Sequence, residues 1–262
     1  MRPYPDGLDA ARDLGEDVRR LSLQETQADF SEFEAVVADL PEGPGPELLK
    51  ALRTSGKWTV VIDDAGNKID WADVVLNDSI LAENFEYPSG SRLLLGLQYL
   101  LLNEELEGFK RREKDRASER RVLITFGGSD PIGLTVKVLK AIGLKRYEKT
   151  AFNVILGPGY SDGEFKNAAR GFRGSLTVHR NPESLLDFFS DCDLLVCAGG
   201  RTLYEAWSLG LPCLAVGGTE HESKVISAFL EKNMLLAGVV QWDPDIFFES
   251  FERALAGISA ST

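Results

Sequence analysis

Residues 196–212, VCAGGRTLYEAWSLGLP, place two glycines, an arginine and a hydroxyl where a strand turns into a helix, and a glutamate one turn further in. The first turn of a helix carries unpaired N–H groups and a partial positive charge, so it can hold an anion. Gly199 and Gly200 let a phosphate approach the backbone, Thr202 adds a hydroxyl, and Arg201 adds a cation that can fork onto phosphate. Glu205 lies on the helical face of Thr202. Its carboxylate would repel a phosphate, yet it suits a sugar diol as a two-oxygen acceptor. A phosphate at the helix tip with ribose one turn deeper accounts for every residue. A capping box, with Thr202 as cap and Glu205 reaching back to it, accounts for the same spacing.

A second corner of this kind is FGGSDPIGLTVKVLKAI, residues 126–142. Gly127 and Gly128 keep the backbone bare, and Ser129 and Asp130 are good N-cap residues. Alone, this is either a tight capped turn or an anion corner. Two glycine-pair corners opening on one sheet edge suggest a target the size of a diphosphate. Asp39, Asp63 and Asp64 end apolar runs. Such carboxylates activate water when burial raises their pKa, and Asp63 and Asp64 can equally cap the DAGN turn that follows. The two histidines, His179 and His221, fit either satisfied polar positions or a catalytic base.

Two groups of elements must position these residues. In the first half, a helix is expected over 5–15, strands over 17–21, 35–39 and 58–64, and a helix over 45–56; 72–77 and 92–99 read as short strands or turns. Apolar runs without alternation predict buried strands of a parallel sheet. Residues 103–120, NEELEGFKRREKDRASER, predict a solvated linker helix whose KRREK run is an exposed face. In the second half, strands are expected at 121–127, 152–157, 176–179, 193–198, 212–217 and 234–238. Helices fall near 133–142, 162–170, 182–189, 201–209, 222–232 and 243–256. This alternation predicts a doubly wound parallel sheet with ligands beyond the C-terminal ends of its strands. The domain boundaries expected are 1–102, a linker over 103–120, and 121–262.

At 262 residues, 44% hydrophobic and 27% charged, the composition is that of a globular protein with room for two domains. The net charge of −12 argues against nonspecific nucleic-acid or anionic-membrane binding. There is no apolar run of membrane-spanning length, and the charged N-terminus is not a signal peptide. Cys192, Cys197 and Cys213 sit in or beside apolar runs and read as buried thiols of a reducing compartment, the cytoplasm, not as a metal site.

RVLITFGGSDP, CDLLVCAGGRTLYEAWSLGLP and VVIDDAGNKIDWADVVLN together resemble the nucleotide-sugar hydrolases of pseudaminic acid biosynthesis, relatives of the MurG-type glycosyltransferases. The resemblance covers nearly the whole chain. It implies a glycosyltransferase-B-like fold of two Rossmann-like domains, the N-terminal one truncated. It implies a UDP-linked amino sugar as partner and water attack at its anomeric carbon to release UDP, with no cofactor and no divalent metal. On this chain Gly199, Gly200, Arg201 and Thr202 would hold the diphosphate, helped by Gly127, Gly128 and Ser129, and Glu205 would take the ribose hydroxyls. The loop 179–185, with His179 and Asn181, would border the base, and His221 and Glu222 would lie on the sugar side. Transfer to a second sugar or a lipid, and nucleotide-sugar binding without turnover, are the alternative functions.

This sequence departs from that family in three places. The family begins with a strand, a glycine-rich loop carrying the His that handles the attacking water, and a helix. These elements, about forty residues, have no counterpart here, which reads Met1 as an internal methionine of a longer frame or the gene as truncated. TEHES at 219–223 replaces the family's Asn-Gln pair, and ADLPEG at 38–43 keeps only Asp39 of an Asp-His-Tyr. A sheet lacking its first βα unit exposes apolar edge surface, so association into a homodimer is expected.

Overall fold

In the computed structural model, residues 30–31, 33–39, 46–64, 66, 69–112, 119–143, 145, 147–160 and 163–258 are described. The helix expected over 5–15, the strand over 17–21 and the LPEG of ADLPEG lie outside them. The chain divides into two compact units, Met1–Leu100 and Leu101–Thr262.

The first unit is a parallel sheet in the order β1 (Ala35–Asp39), β2 (Trp58–Ile62), β3 (Val74–Asn77) and β4 (Arg92–Leu95), with α1 (Pro46–Thr54) between β1 and β2. Register is set residue by residue, Val37 opposite Val60 and Val61 opposite Val75. Val61 and Val75 are buried with Ala38, Ile69 and Ala72 in a small core. The expectation that β1 is buried is corrected. Among the described residues β1 is the edge of the sheet, Val37 is 64% exposed, and Trp58 on the neighbouring strand is 65% exposed. An apolar run reports a strand that could be covered on both faces; its place in the sheet decides whether it is.

The second unit is a six-stranded parallel sheet, order β10-β9-β8-β5-β6-β7. Its strands are β5 (Arg120–Thr125), β6 (Thr150–Leu156), β7 (Ser175–Arg180), β8 (Leu194–Cys197), β9 (Cys213–Val216) and β10 (Ala237–Val239). The helices between them are α2 (Leu134–Ile142), α3 (Phe165–Gly171), α4 (Leu186–Asp191), α5 (Arg201–Ser208) and α6 (Glu220–Glu231), and α7 (Pro244–Gly257) closes the unit. Alternation along the strands divides the layers. Val122, Ile124, Val154, Leu194, Val196, Leu214 and Val216 share one core with Leu139 of α2 and Phe247 and Phe251 of α7. Leu195, Cys197, Cys213 and Ala215 face the other way, towards the side taken by α5 and α6. The three cysteines are buried and unbridged; burial holds the Cys197 and Cys213 thiols above their ordinary range.

Because β6 and β7 lie on one side of β5 and β8, β9 and β10 on the other, the strand order reverses between β5 and β8. Ligands of open parallel sheets bind beyond the strand ends at such a reversal. The two loops that flank it are the two glycine-pair corners.

Of the linker helix expected over 103–120, the described residues 103–112 form no α-helix. Glu104–Leu106 make one 3-10 turn capped by Asn103, and the described chain from 107 to 112 is irregular. Its charge density reflects exposure, which does not require a helix.

Candidate functional site

The corner at α5 is open. Gly200 is the N-cap residue, in extended conformation, and among the described residues no side chain caps the helix. A Cβ at Gly200 would meet nothing within 4 Å. Gly199 differs. A Cβ there would lie 2.7 Å from the carbonyl oxygen and 3.0 Å from the Cα of Glu222. Gly199 is therefore a packing glycine, which lets the first turn of α6 close on the end of β8, whereas Gly200 faces free space.

The capping box at Thr202 and Glu205 does not form. With Gly200 as cap, Thr202 is the second residue of the helix and cannot reach back as a cap. Glu205 is half-buried, and burial holds its carboxyl above the usual carboxylate range, Arg201 opposing the shift. No hydrogen bond to the Glu205 carboxylate occurs among the described residues. A half-buried carboxylate one turn inside an uncapped helix is an acceptor in want of donors.

The capping box occurs instead on α6. Thr219 Oγ1 accepts from the Glu222 N–H at 3.2 Å, and Glu222 Oε2 accepts from the N–H groups of Gly218 and Thr219, each at 2.9 Å. The T-x-x-E signal lay in TEHES at 219–223 and was readable there. Glu222 is thus committed to its own backbone. His221 is exposed on the same first turn.

The corner at α2 is closed by Asp130. Its buried carboxylate accepts from the N–H of Leu134 at 2.7 Å and of Thr135 at 2.8 Å. Ser129, exposed, caps nothing. The groups that would have greeted a phosphate already hold a carboxylate, so the expectation of two equivalent anion corners reduces to one. Gly127 and Gly128 serve the backbone, since a Cβ at Gly157 would meet Gly128 Cα and O at 2.4 Å, and Gly159 N–H donates to Gly128 O at 2.9 Å. Ile132 from this loop packs over Gly218, where a Cβ would come within 2.3 Å of Ile132 Cδ1. The loops after β5, β8 and β9 are thereby joined at one edge of the sheet.

Asp130→Gly isolates the capping role, because glycine tolerates the positive φ of 43° found there. The variant should lose about 2 kcal/mol of stability in urea unfolding. Phosphate or sulfate should raise its melting temperature more than that of the parent, since the anion refills the emptied corner.

His179 lies within β7. Its Nε2 is 3.0 Å from Asn153 Oδ1, and its ring meets Phe188 edge-on at 4.6 Å. These residues line a cavity of about 490 Å³ with Arg121, Leu123 and Asp191; Arg121 and Asp191 form an ion pair. Asn181 follows β7 at φ 42° and gives its N–H to Leu156 O, a turn conformation asparagine tolerates.

The carboxylates of the first unit separate. Asp39 and Asp64 are exposed. Asp63 is 3% exposed and accepts from Gly66 N–H at 2.9 Å, the turn-capping role foreseen for it. It also accepts from the Tyr87 hydroxyl at 2.5 Å, and that hydroxyl accepts from Asn77 Nδ2 at 2.9 Å. Burial and the Asp63 carboxylate hold the Tyr87 hydroxyl far above its ordinary pKa, so it stays a donor. Tyr87→Phe should cost about 1–3 kcal/mol in urea unfolding, because a buried carboxylate loses a donor.

No family model matches the chain. It is 28% identical over 211 residues to uncharacterized protein MJ1062 of Methanocaldococcus jannaschii, covering 75% of this chain and 43% of that protein. It is 24% identical over 209 residues to the spore coat polysaccharide biosynthesis protein SpsG of Bacillus subtilis, covering 78% of this chain and 62% of that one. The chain thus spans less than two thirds of either relative. Among solved structures it is similar to MurG of Acinetobacter baumannii, with TM-score 0.59, 16% identity, 86% of this chain and 67% of that chain. It is also similar to the spinosyn rhamnosyltransferase SpnG complexed with thymidine diphosphate, with TM-score 0.51, 16% identity, 87% of this chain and 67% of that chain. The fold is glycosyltransferase-B-like, two Rossmann-like units each built on a parallel sheet.

Proposed function

We propose that the second unit binds a UDP-linked amino sugar by its diphosphate and that the protein releases UDP from it by water attack at the anomeric carbon. The observation that carries the reading is the uncapped N-terminus of α5 at the strand-order reversal, with Gly200 open and Glu205 lacking donors among the described residues. Diphosphate oxygens accept from the N–H groups of the first turn and from Arg201, and the Glu205 carboxylate accepts from the ribose hydroxyls. Gly127, Gly128 and Ser129 border the diphosphate without supplying helix N–H groups. His179 and Asn181 sit on the base side, and His221 is the sugar-side group that remains once Glu222 is committed to capping. In the reaction, the water oxygen bonds to the anomeric carbon, the bond from that carbon to the β-phosphate oxygen breaks with its electrons on UDP, and the water proton passes to a base.

The similarity to SpsG, by its name a spore coat polysaccharide biosynthesis protein, supports a setting in nonulosonic-acid or surface-polysaccharide synthesis. The fold shared with MurG and SpnG favours a second reading, transfer of the sugar to an acceptor. The exposure of Val37 on β1 and Trp58 on β2 supports association into a homodimer. The deciding assay offers UDP-linked amino sugars in water enriched in oxygen-18, with and without saccharide or lipid acceptors. Hydrolysis puts the heavy oxygen on the released sugar. Release only with an acceptor means transfer, and UDP bound without release means a binding protein.

A further inference from the structure

Between α2 and α7 lies a cavity of about 800 Å³, and none of its lining residues comes from the α5 corner. It stands on the other face of the sheet, whose core holds Leu139 of α2 and Phe247 of α7. α2 buries Leu134, Thr135, Val136, Val138, Leu139 and Ile142. The face left over carries Lys137, Lys140 and Ala141, which helical spacing sets side by side. All three line the cavity.

The opposite wall is aromatic. Trp242, just before α7, is half-buried and leans on Phe247 with ring centroids 5.3 Å apart, and Phe248 is half-buried beside it. Both line the cavity, where Ala141 contributes only a methyl from α2. The charge on the walls is one-sided. Lys137, Lys140 and Lys145 face a single carboxylate, that of Asp245, in a chain of net charge −12. Lys140 pairs with Glu164 at 2.9 Å and Lys145 with Glu252 at 2.5 Å, and neither glutamate lines the cavity. Lys137 is half-buried and makes no ion pair among the described residues. A half-buried ammonium is stabilised by an anion. Lysine is a point charge without a fork, so it takes phosphate, sulfonate or carboxylate alike. The two rings gain by covering an apolar body, and the volume is that of a small-molecule site.

We propose that this cavity is a second binding site, for an organic anion that carries one phosphate, sulfonate or carboxylate group on an aliphatic or aromatic body. The acid group lies at Lys137 and the body covers Trp242 and Phe248. The site is independent of the nucleotide reading of the α5 corner.

The test is a fluorescence titration of the full chain with anilinonaphthalene sulfonate, an aromatic anion, with and without UDP. One probe should bind per chain, and UDP should not displace it. Lys137→Gln should weaken it about tenfold, through loss of a charged hydrogen bond. Asp245→Asn should tighten it about twofold, because the one repelling carboxylate is gone. Melting curves of both variants should stay close to the parent's. Adsorption to apolar surface alone would not move in opposite directions. Octyl phosphate and phenyl phosphate then separate the two kinds of body. Displacement by either ester, at a concentration where inorganic phosphate leaves the probe bound, supports the site and says which body it takes. A probe that does not bind, that binds all three proteins alike or that UDP displaces overturns the proposal. So does a probe displaced by neither ester, or by inorganic phosphate as readily as by either. UDP that fails to bind counts against the nucleotide reading alone.

Discussion

Gly200→Ala should leave the melting temperature where it is and weaken UDP binding about tenfold or more, and Gly199→Ala should act chiefly on stability. The chain offers the two glycines side by side, and their surroundings assign them opposite duties. At Gly200 the backbone lies in an extended conformation open to any residue, and an added methyl meets no atom of the described residues within 4 Å. Its effect on stability should stay within about 0.5 kcal/mol. The methyl would stand where the diphosphate must approach the helix N–H groups, and tenfold in affinity corresponds to about 1.4 kcal/mol. At Gly199 the methyl would lie 2.7 Å from the backbone oxygen of Glu222. Backbone cannot rotate aside, so α6 must shift, at about 1–3 kcal/mol. Thermal melts and calorimetric titrations of both variants read the two effects separately.

The second large effect belongs to Glu205, where stability and binding should move in opposite directions. Burial raises its pKa in the folded protein. Between the unfolded value and the raised one the folded state holds the more protons, so this group's contribution to stability falls as pH rises through that window. Above it, the ionised carboxylate is a standing cost. Glu205→Gln should therefore melt higher than the parent at neutral pH, and the difference should shrink as pH falls below the ordinary glutamate range. The same exchange removes a charged acceptor for two ribose hydroxyls and should weaken UDP binding by about 1.5–3 kcal/mol. A site that is destabilising when empty and ionised is expected where function has set the residue. If Glu205→Gln instead lowered the melting temperature and spared UDP binding, Glu205 would be a structural residue.

The second unit was largely legible in the sequence. Every strand and helix expected over 121–262 is present, with boundaries moved by a few residues, because runs such as DLLVCA can only be doubly covered strands when helices of ten or so residues separate them. Local signals failed where their outcome depends on register. Thr202 and Glu205 have capping-box spacing, but Gly200 takes the cap and moves Thr202 into the helix. Thr219 and Glu222 have the same spacing with an extended residue at the cap, and there the box forms. Asp130 and Ser129 are equally good caps by type; only the left-handed turn at Asp130 aims its carboxylate along α2. Nothing local announces the tie among Asp63, Asn77 and Tyr87, because Tyr87 lies 10 residues from Asn77 and 24 from Asp63 and the three meet only through the pairing of β2 with β3. The exposure of β1 was hidden for a similar reason, since strand order is a property of the whole sheet.

The most direct test of the central claim is a crystal structure of the protein with UDP. The diphosphate should lie at the tip of α5, its oxygens about 3 Å from the N–H groups that follow Gly200 and from the Arg201 guanidinium, with the ribose hydroxyls on the Glu205 carboxylate. UDP seated elsewhere, or a diphosphate at the α2 corner that Asp130 closes, would contradict it.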